Sequence, residues 1–248
     1  MWYELRILAV VVLASATSCR PSVRPGGRAV SVETEGTVAR MNMVKEQLMA
    51  PGRDIRNPRV LRAMELVPRH EFVPESHRPQ AYEDGPLPIG HGQTISQPFI
   101  VAYMTEKLDP QPGDRILEIG TGSGYQAAVL AQLVDAVYTV EIVEPLAEQA
   151  RRTISRLGYA NVHIKVGDGY QGWPEFAPFD AVIVTCAPDH IPRPLVDQLK
   201  EGGKMIIPVG TLPYQELMLL QKEGSDVRQR AVLPVRFVPM TGEGERRD

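Results

Sequence analysis

A chain of 248 residues, 43% hydrophobic and 23% charged, is long enough for one α/β domain with a large buried core. The formal net charge is −3 and no basic block occurs, which argues against a nucleic-acid partner, because contacts to phosphates supply much of the affinity of such proteins. Two cysteines are too few for a disulfide framework and the five histidines lack metal-ligand spacing, so we expect no metal.

Residues 1–37 are expected to form a leader and a disordered linker. The short apolar run 7–16 before Cys19 is typical of a secretory or lipoprotein signal, but it is too short to span a bilayer comfortably. Residues 20–36 are rich in Pro, Gly and Arg, as disordered segments often are. A translation start at Met41 or Met43 is the alternative, in which case the leader would not belong to the protein.

Residues 38–248 are expected to form one domain whose first part, 38–97, is a helical cap. Apolar residues recur with helical spacing over 38–49 and 58–67. Prolines end this pattern, and 72–73 lies between two of them. We predict a short docking strand there.

The rest of the chain alternates between strand and helix patterns. Gly and Pro are frequent in 85–97, which predicts a loop, and Pro98 suits the first turn of a helix over 98–108. The predicted strands are 115–119, 136–141, 162–166, 181–185 and 204–209, and the predicted helices are 125–133, 145–157 and 194–199. The runs 217–221 and 232–238 predict a late antiparallel strand pair. We therefore expect an α/β fold, doubly wound around a mostly parallel sheet.

The strongest functional signal is the run EIGTGSG, which lies between the first strand of this sheet and the next helix. Its glycines, Gly120, Gly122 and Gly124, let a ligand approach the backbone closely. A nicotinamide fingerprint would need glycine at position 125, where this chain has Tyr125. Glu118 instead suits a ligand with an ammonium group, such as S-adenosylmethionine. A merely tight turn is the alternative.

Two more acids follow strands of the same sheet. Glu141 ends the second strand, where an acidic residue accepts hydrogen bonds from ribose hydroxyls. Asp168 follows the third strand and can bind an adenine amino group, although Asp-Gly is more often a turn. A solvated strand end would explain either acid alone. Together with Glu118 they predict one nucleoside pocket.

Several stretches carry a resemblance to a known family. They are GQTISQP at 92–98, LEIGTGSGY at 117–125, GDG at 167–169, FDAVIVT at 179–185, LKEGG at 199–203 and RFVPM at 236–240. Together they resemble the protein-L-isoaspartate O-methyltransferase family over roughly 38–241. The TISQP run is the specific part, because the glycine loop alone indicates only a methyltransferase. The resemblance implies a Rossmann-like fold that uses S-adenosylmethionine.

The resemblance also implies which residues form the site. Ser96 is implied as the active-site residue, and we expect it to position the substrate carboxylate. The residues implied for substrate binding are Thr94, Ile95 and Gln97. The residues implied for cofactor binding are Glu118, Gly120, Gly122, Gly124, Glu141, Asp168 and Gly169. The alternative for Ser96 is a helix N-cap before Pro98. Cys186 stands where the family more often has Ala.

The implied reaction transfers a methyl group from S-adenosylmethionine to the free carboxylate of L-isoaspartyl residues in damaged proteins and peptides. The ester then cyclises to a succinimide, which starts repair. A carboxylate is already ionised at neutral pH, so the site needs alignment and a dry pocket, not a general base. The implied partners are proteins with exposed, flexible damaged segments.

Two other functions remain open from the sequence. One is a methyltransferase of the same fold that acts on a small molecule or on another protein group. The other is a non-catalytic nucleotide-binding module, against which the intact glycine loop and acids argue.

A cytoplasmic location is expected, because S-adenosylmethionine is made and held in the cytosol. The alternative is an exported or lipid-anchored protein, and membrane contact is expected only if residues 1–19 serve as an anchor.

Overall fold

The computed structural model describes the backbone of residues 29–53 and 55–244, and side chains from residue 36 onward. The predicted leader before residue 29, Cys19 included, lies outside this range. Among the described residues, none of the helices combines the length and the hydropathy that crossing a bilayer requires.

Two helices form the amino-terminal cap. Helix α1 is Ala29–Met43 and continues into a π-helical turn, Val44–Leu48, and helix α2 is Pro58–Leu66. The Asn57 side chain caps α2 by accepting a hydrogen bond from the amide of Arg59 at 3.0 Å. Helix α1 begins well before the predicted start at residue 38, so the cap extends into the segment predicted as linker.

The docking strand predicted at 72–73 is wrong. Two 3₁₀ turns occupy this region, Arg69–Phe72 and Glu75–Gln80. The Phe72 ring is buried and packs edge-to-face on the ring of Tyr125, with the centroids 5.5 Å apart. Burial against a helix therefore satisfies this apolar residue without any strand partner.

The loop predicted over 85–97 is instead a small antiparallel hairpin. Strand β1 is Leu87–Gly90 and strand β2 is Gln93–Ile95. The turn between them runs through three consecutive residues with positive φ, from Gly90 to Gly92. The glycines therefore mark a tight turn inside a hairpin, where the sequence pattern indicated an irregular loop. Helix α3, Pro98–Leu108, follows as predicted.

The central sheet has seven strands in the order β5-β4-β3-β6-β7-β8-β9. These are β3 Arg115–Ile119, β4 Ala136–Glu141, β5 Val162–Val166, β6 Phe179–Val184, β7 Leu199–Thr211, β8 Tyr214–Glu223 and β9 Asp226–Val235. The helices between them are α4 Tyr125–Ala131, α5 Glu144–Arg156 and α6 Arg193–Asp197. The first five strands are parallel to their neighbours, whereas β8 and β9 are antiparallel. The predicted doubly wound sheet and its late antiparallel pair are confirmed.

Both faces of the inner strands β3, β4 and β6 are buried. Successive residues of β3 point to opposite faces, so that Ile116 packs with α2, α3 and α4 while Leu117 packs with α6. The strand order places β4 and β5 on one side of β3, and β6 and β7 on the other. This reversal opens a crevice at the carboxyl ends of the strands, where doubly wound folds bind their ligands.

Candidate active site

A cleft lies at the carboxyl ends of β3, β4 and β6. The loop after β3 and residues 141–143 after β4 form one side. Thr185 and Cys186, which follow β6, form another. The β1–β2 hairpin and the segment 238–241 close it from above. The cleft thus combines the predicted glycine loop with two chain segments that are distant in sequence.

The glycine loop has a backbone that other residues adopt only with strain. Gly120, Gly122 and Gly124 have φ values of 95°, 52° and 89°. A Cβ atom at Gly120 would lie 2.5 Å from the hydroxyl oxygen of Thr185. Gly120 and Gly122 line the cleft, whereas Gly124 caps α4 and packs on Ile154. Glycine is therefore required at position 120 by the contact with Thr185 as well as by the positive φ.

Glu141 ties the second strand to this loop. Its carboxylate accepts hydrogen bonds from the amide of Gly122 at 2.7 Å and from the amide of Val143 at 2.9 Å. The side chain is buried and lines the cleft, as predicted. Each of its oxygens keeps a lone pair for a ligand hydroxyl.

Glu118 lies beneath the loop and does not line the cleft. It is completely buried, and neither carboxyl oxygen has a hydrogen-bond partner within the described residues. Burial raises the pKa of Glu118 to about 8, although the nearby Thr139 hydroxyl acts in the opposite direction. An unpaired buried carboxyl costs free energy, so this position calls for a partner that the described residues do not supply.

Asp168 lies beside the cleft, in an adjoining concavity. Its carboxylate accepts hydrogen bonds from the amides of Tyr170 and Glu243, at 2.9 and 2.8 Å. Ile142 and Thr241 line both this concavity and the cleft, so the two are continuous. Gly169 lines the cleft itself, where a Cβ atom would lie 2.5 Å from the Ile119 side chain.

The predicted substrate loop lies on the opposite wall. Thr94 is exposed, Ser96 is half-buried and Ile95 is buried, and all three line the cleft. The N-cap of α3 is Gln97, without any side-chain hydrogen bond to the helix, so Ser96 is not the cap that was the alternative. The Gln97 side chain donates to the Asp84 carboxylate at 2.7 Å and faces away from the cleft.

A second, larger cavity of about 810 Å³ opens beyond this wall. We call it the outer groove; it is lined by Gln97, Ile100, Tyr214, Gln215, Phe237 and Val238. Thr94, Ser96, Thr185 and Val238 line both the cleft and the outer groove. These four residues therefore stand where the two cavities meet.

Sequence reasoning missed part of the site. Thr185 and Cys186 follow a parallel strand, so their position was predictable from the rule that ligands bind at carboxyl ends. Thr185 donates to the carbonyl of Gly120 at 2.7 Å, and burial of the Cys186 thiol raises its pKa well above the ordinary value. The segment 236–241 includes the RFVPM run of the resemblance, but no local pattern places it at the cleft, because only tertiary contacts bring it there.

The described residues contain no group of three or more His, Cys, Asp or Glu side chains placed to hold a metal ion.

Comparisons with known proteins agree with the family resemblance of the sequence. The family model of protein-L-isoaspartate(D-aspartate) O-methyltransferase (PCMT) matches residues 39–245. A protein-L-isoaspartate O-methyltransferase 2 from Polaromonas is 55% identical over 203 residues, covering 81% of this chain and 96% of that protein. A protein-L-isoaspartate O-methyltransferase 1 from Cupriavidus necator is 50% identical over 240 residues, covering 96% of this chain and 93% of that protein.

Solved structures agree with the sequence relatives. A protein-L-isoaspartate O-methyltransferase superposes with a TM-score of 0.76 at 32% identity, covering 84% of this chain and 67% of that one. A Plasmodium falciparum structure named for the same activity, in complex with S-adenosyl-L-homocysteine, gives a TM-score of 0.72 at 28% identity, covering 82% of this chain and 98% of that one. The chain belongs to the protein-L-isoaspartate(D-aspartate) O-methyltransferase family.

Proposed function

We propose that the cleft binds S-adenosylmethionine, that the outer groove receives an isoaspartyl segment of a damaged protein, and that Ser96 positions its carboxylate between them. As a member of this family, the chain is an S-adenosylmethionine-dependent methyltransferase of isoaspartyl residues. The assignment of residues is supported mainly by one observation: Ser96 lines both cavities, and its hydroxyl has no hydrogen bond to another described residue.

The residues of the cleft fit the expected co-substrate. Bound there, S-adenosylmethionine would supply a methyl group on a positively charged sulfur. Glu118, whose buried carboxyl is unpaired within the described residues, would take the ammonium end, and the backbone of Gly120 lines the cleft. Glu141 keeps lone pairs for the ribose hydroxyls, and Asp168 borders a concavity suited to the adenine ring. Gly122 and Gly169 would contribute through the backbone that lines the cleft, and Gly124 would contribute indirectly as the N-cap of α4.

On the substrate side, the chain's own groups orient and desolvate a carboxylate. The Ser96 hydroxyl donates a hydrogen bond to it, and Thr94 offers a second hydroxyl at the same junction. Buried Ile95 and the neighbouring Val238 exclude water from this point. No general base is required, because an isoaspartyl carboxyl is ionised at neutral pH. The contribution of the site is therefore alignment in a dry setting.

The outer groove suits an extended polypeptide better than a compact small molecule. It is open along one side of the hairpin, and Gln97 and the exposed ring of Tyr214 stand on its walls. An extended segment can enter such a groove and pair through its backbone. The partners would be proteins and peptides whose damaged segment is exposed and flexible.

The test is methylation of an isoaspartyl peptide by a Ser96→Ala variant. We expect kcat/KM to fall by about tenfold to a hundredfold, as loss of a hydrogen bond to a charged group predicts, while the affinity for S-adenosylhomocysteine stays within about twofold. Ser155→Ala, on the exposed face of α5, is the matched control and should behave as wild type. Equal loss of turnover and cofactor affinity would make Ser96 a structural residue. The aspartyl version of the same peptide should accept no methyl groups.

We further propose that the protein works in the cytosol, where its methyl donor is held. Sequencing the amino terminus of the native protein tests this location. A start near Met41 agrees with it, and a lipid-modified Cys19 contradicts it.

A further inference from the structure

The chain leaves the sheet at the end of β9, and the segment that follows is held by hydrogen bonds to the side chain of Gln215. Gln215 lies opposite Val235, the last residue of β9. Beyond it, the Phe237 amide donates to Oε1 of Gln215 at 2.7 Å, and Nε2 of Gln215 donates to the Phe237 carbonyl at 3.3 Å. The Gln215 amide thus substitutes for a strand residue and pairs with Phe237 as backbone would.

The hydrogen-bonded pair of Gln215 and Phe237 lies where it fixes the position of one wall of the outer groove. Gln215 is only 3% exposed, so both hydrogen bonds are shielded from water. Directly after Phe237, the Val238 carbonyl accepts from the amide of Ala187, and the amide of Met240 donates back to Ala187, both at 2.8 Å. Gln215 is the first of these anchors along the segment.

The anchored segment separates the two cavities. Phe237 lines the outer groove, Met240 lines the cleft, and Val238 lines both. Val238 shares this position with Ser96 on the opposite wall. A displacement at Phe237 would therefore change the width of the passage in which the reacting carboxylate must lie.

We propose that Gln215 is a positioning residue for substrate binding, which holds Phe237 and Val238 at the width that an isoaspartyl segment requires. The proposal rests on the function proposed above. Gln215 acts through the backbone of its neighbours and not on the reacting atoms. Its contribution should appear mainly in KM for the peptide, because it shapes a wall and does not contact the transferred group.

The test is Gln215→Glu, whose carboxyl has nearly the same shape. When protonated, it can donate to the Phe237 carbonyl and restore the pair. When ionised, it faces that carbonyl as a second acceptor, and the pair is broken. We expect the ratio of kcat/KM in the variant to kcat/KM in the wild type to be near unity at about pH 6 and to fall on the order of tenfold at about pH 9. The change falls in this pH range because burial raises the pKa of the introduced carboxyl.

Taking the ratio to wild type removes effects of other ionisable groups. Tyr214, Glu216 and Arg236 line the same groove and are present in both proteins. Gln221→Glu is the matched control, because Gln221 lies on the same strand and its amide donates to the Gly202 carbonyl at 3.2 Å, far from both cavities. Its ratio to wild type should stay constant with pH.

The outcomes separate this proposal from the function on which it depends. A pH-independent ratio for Gln215→Glu, or a ratio that changes equally in the Gln221→Glu control, would overturn the positioning role. If Gln215→Glu does not fold, Gln215→Met retains the length without the amide, and an unchanged KM in that folded variant would overturn the role as well. Failure of the wild type to methylate the isoaspartyl peptide would overturn the proposed function, and this proposal with it.

Discussion

Substitution of Glu118 should change the stability of the fold and the affinity for the co-substrate in opposite directions. The carboxyl is fully buried and has no hydrogen-bond partner in the part of the chain that the structure describes, and burial raises its pKa from 4.5 to about 8. Between these pH values the folded chain binds more protons than the unfolded chain, so its free energy of unfolding falls as the pH rises through this window. At about 1.4 kcal/mol for each pKa unit, the loss amounts to roughly 5 kcal/mol once the pH exceeds about 8.

Glu118→Gln keeps the shape of the side chain and removes its ionisation. Without ligand, we expect the variant and wild type to unfold with similar free energies below pH 4.5, and the variant to be more stable by roughly 5 kcal/mol above about pH 8. Urea unfolding at a series of pH values measures this difference, and Glu46→Gln, at an exposed position, is the control. A difference between variant and wild type that does not change with pH would refute the reasoning.

Glu118→Gln, which should stabilise the fold above about pH 8, should weaken the binding of S-adenosylhomocysteine. An ammonium group that loses its buried acid loses a charged hydrogen bond, so affinity for S-adenosylhomocysteine should fall by about tenfold or more. If the variant is more stable at alkaline pH but binds S-adenosylhomocysteine as tightly as wild type, Glu118 has no role in binding the co-substrate.

Two further results are expected. Glu141→Ala and Asp168→Ala should each weaken the binding of S-adenosylhomocysteine by about tenfold or more in calorimetry, because each substitution also leaves two backbone amides without their acceptor. Unchanged affinity in both variants would remove the nucleoside assignment. Gly120→Ala should lower the free energy of unfolding by about 1–3 kcal/mol through backbone strain at its positive φ, and further through the steric contact with Thr185. In chemical denaturation, the double variant with Thr185→Ala should recover only the steric part. Complete recovery of stability would contradict backbone strain at this position.

The two walls of the passage differ in how they are built. Ser96 is presented by a short hairpin whose turn depends on the positive φ of Gly90 and Gly92. Val238 is presented by a segment that belongs to no strand and is held by the Gln215 side chain and the backbone of Ala187. The width between them therefore depends on a local turn on one side and, on the other, on contacts between residues 22 and 51 positions apart.

Much of the framework follows from local sequence alone. Strands β3, β4 and β5 and helix α3 have the predicted bounds. For β3 and β4 the reason is that they are short, largely apolar runs that are buried on both faces. The glycine loop and Glu141 occupy the predicted end of the sheet, since parallel strands bring all their carboxyl ends to one edge. The family was equally readable, from the TISQP run together with the glycine loop.

Other features depended on contacts that no local pattern encodes. Segment 85–97 pairs with itself although its glycines suggest a loop, and 72–73 forms no strand because Phe72 is buried against Tyr125. Glu118 lies beneath the loop and not on the cleft wall, a depth set by the packing around β3. The sequence by itself determined the sheet and the chemical types at its edge. Only the tertiary structure decided which of them face one another, because that depends on long-range packing and on side-chain pairs such as Gln215 with Phe237.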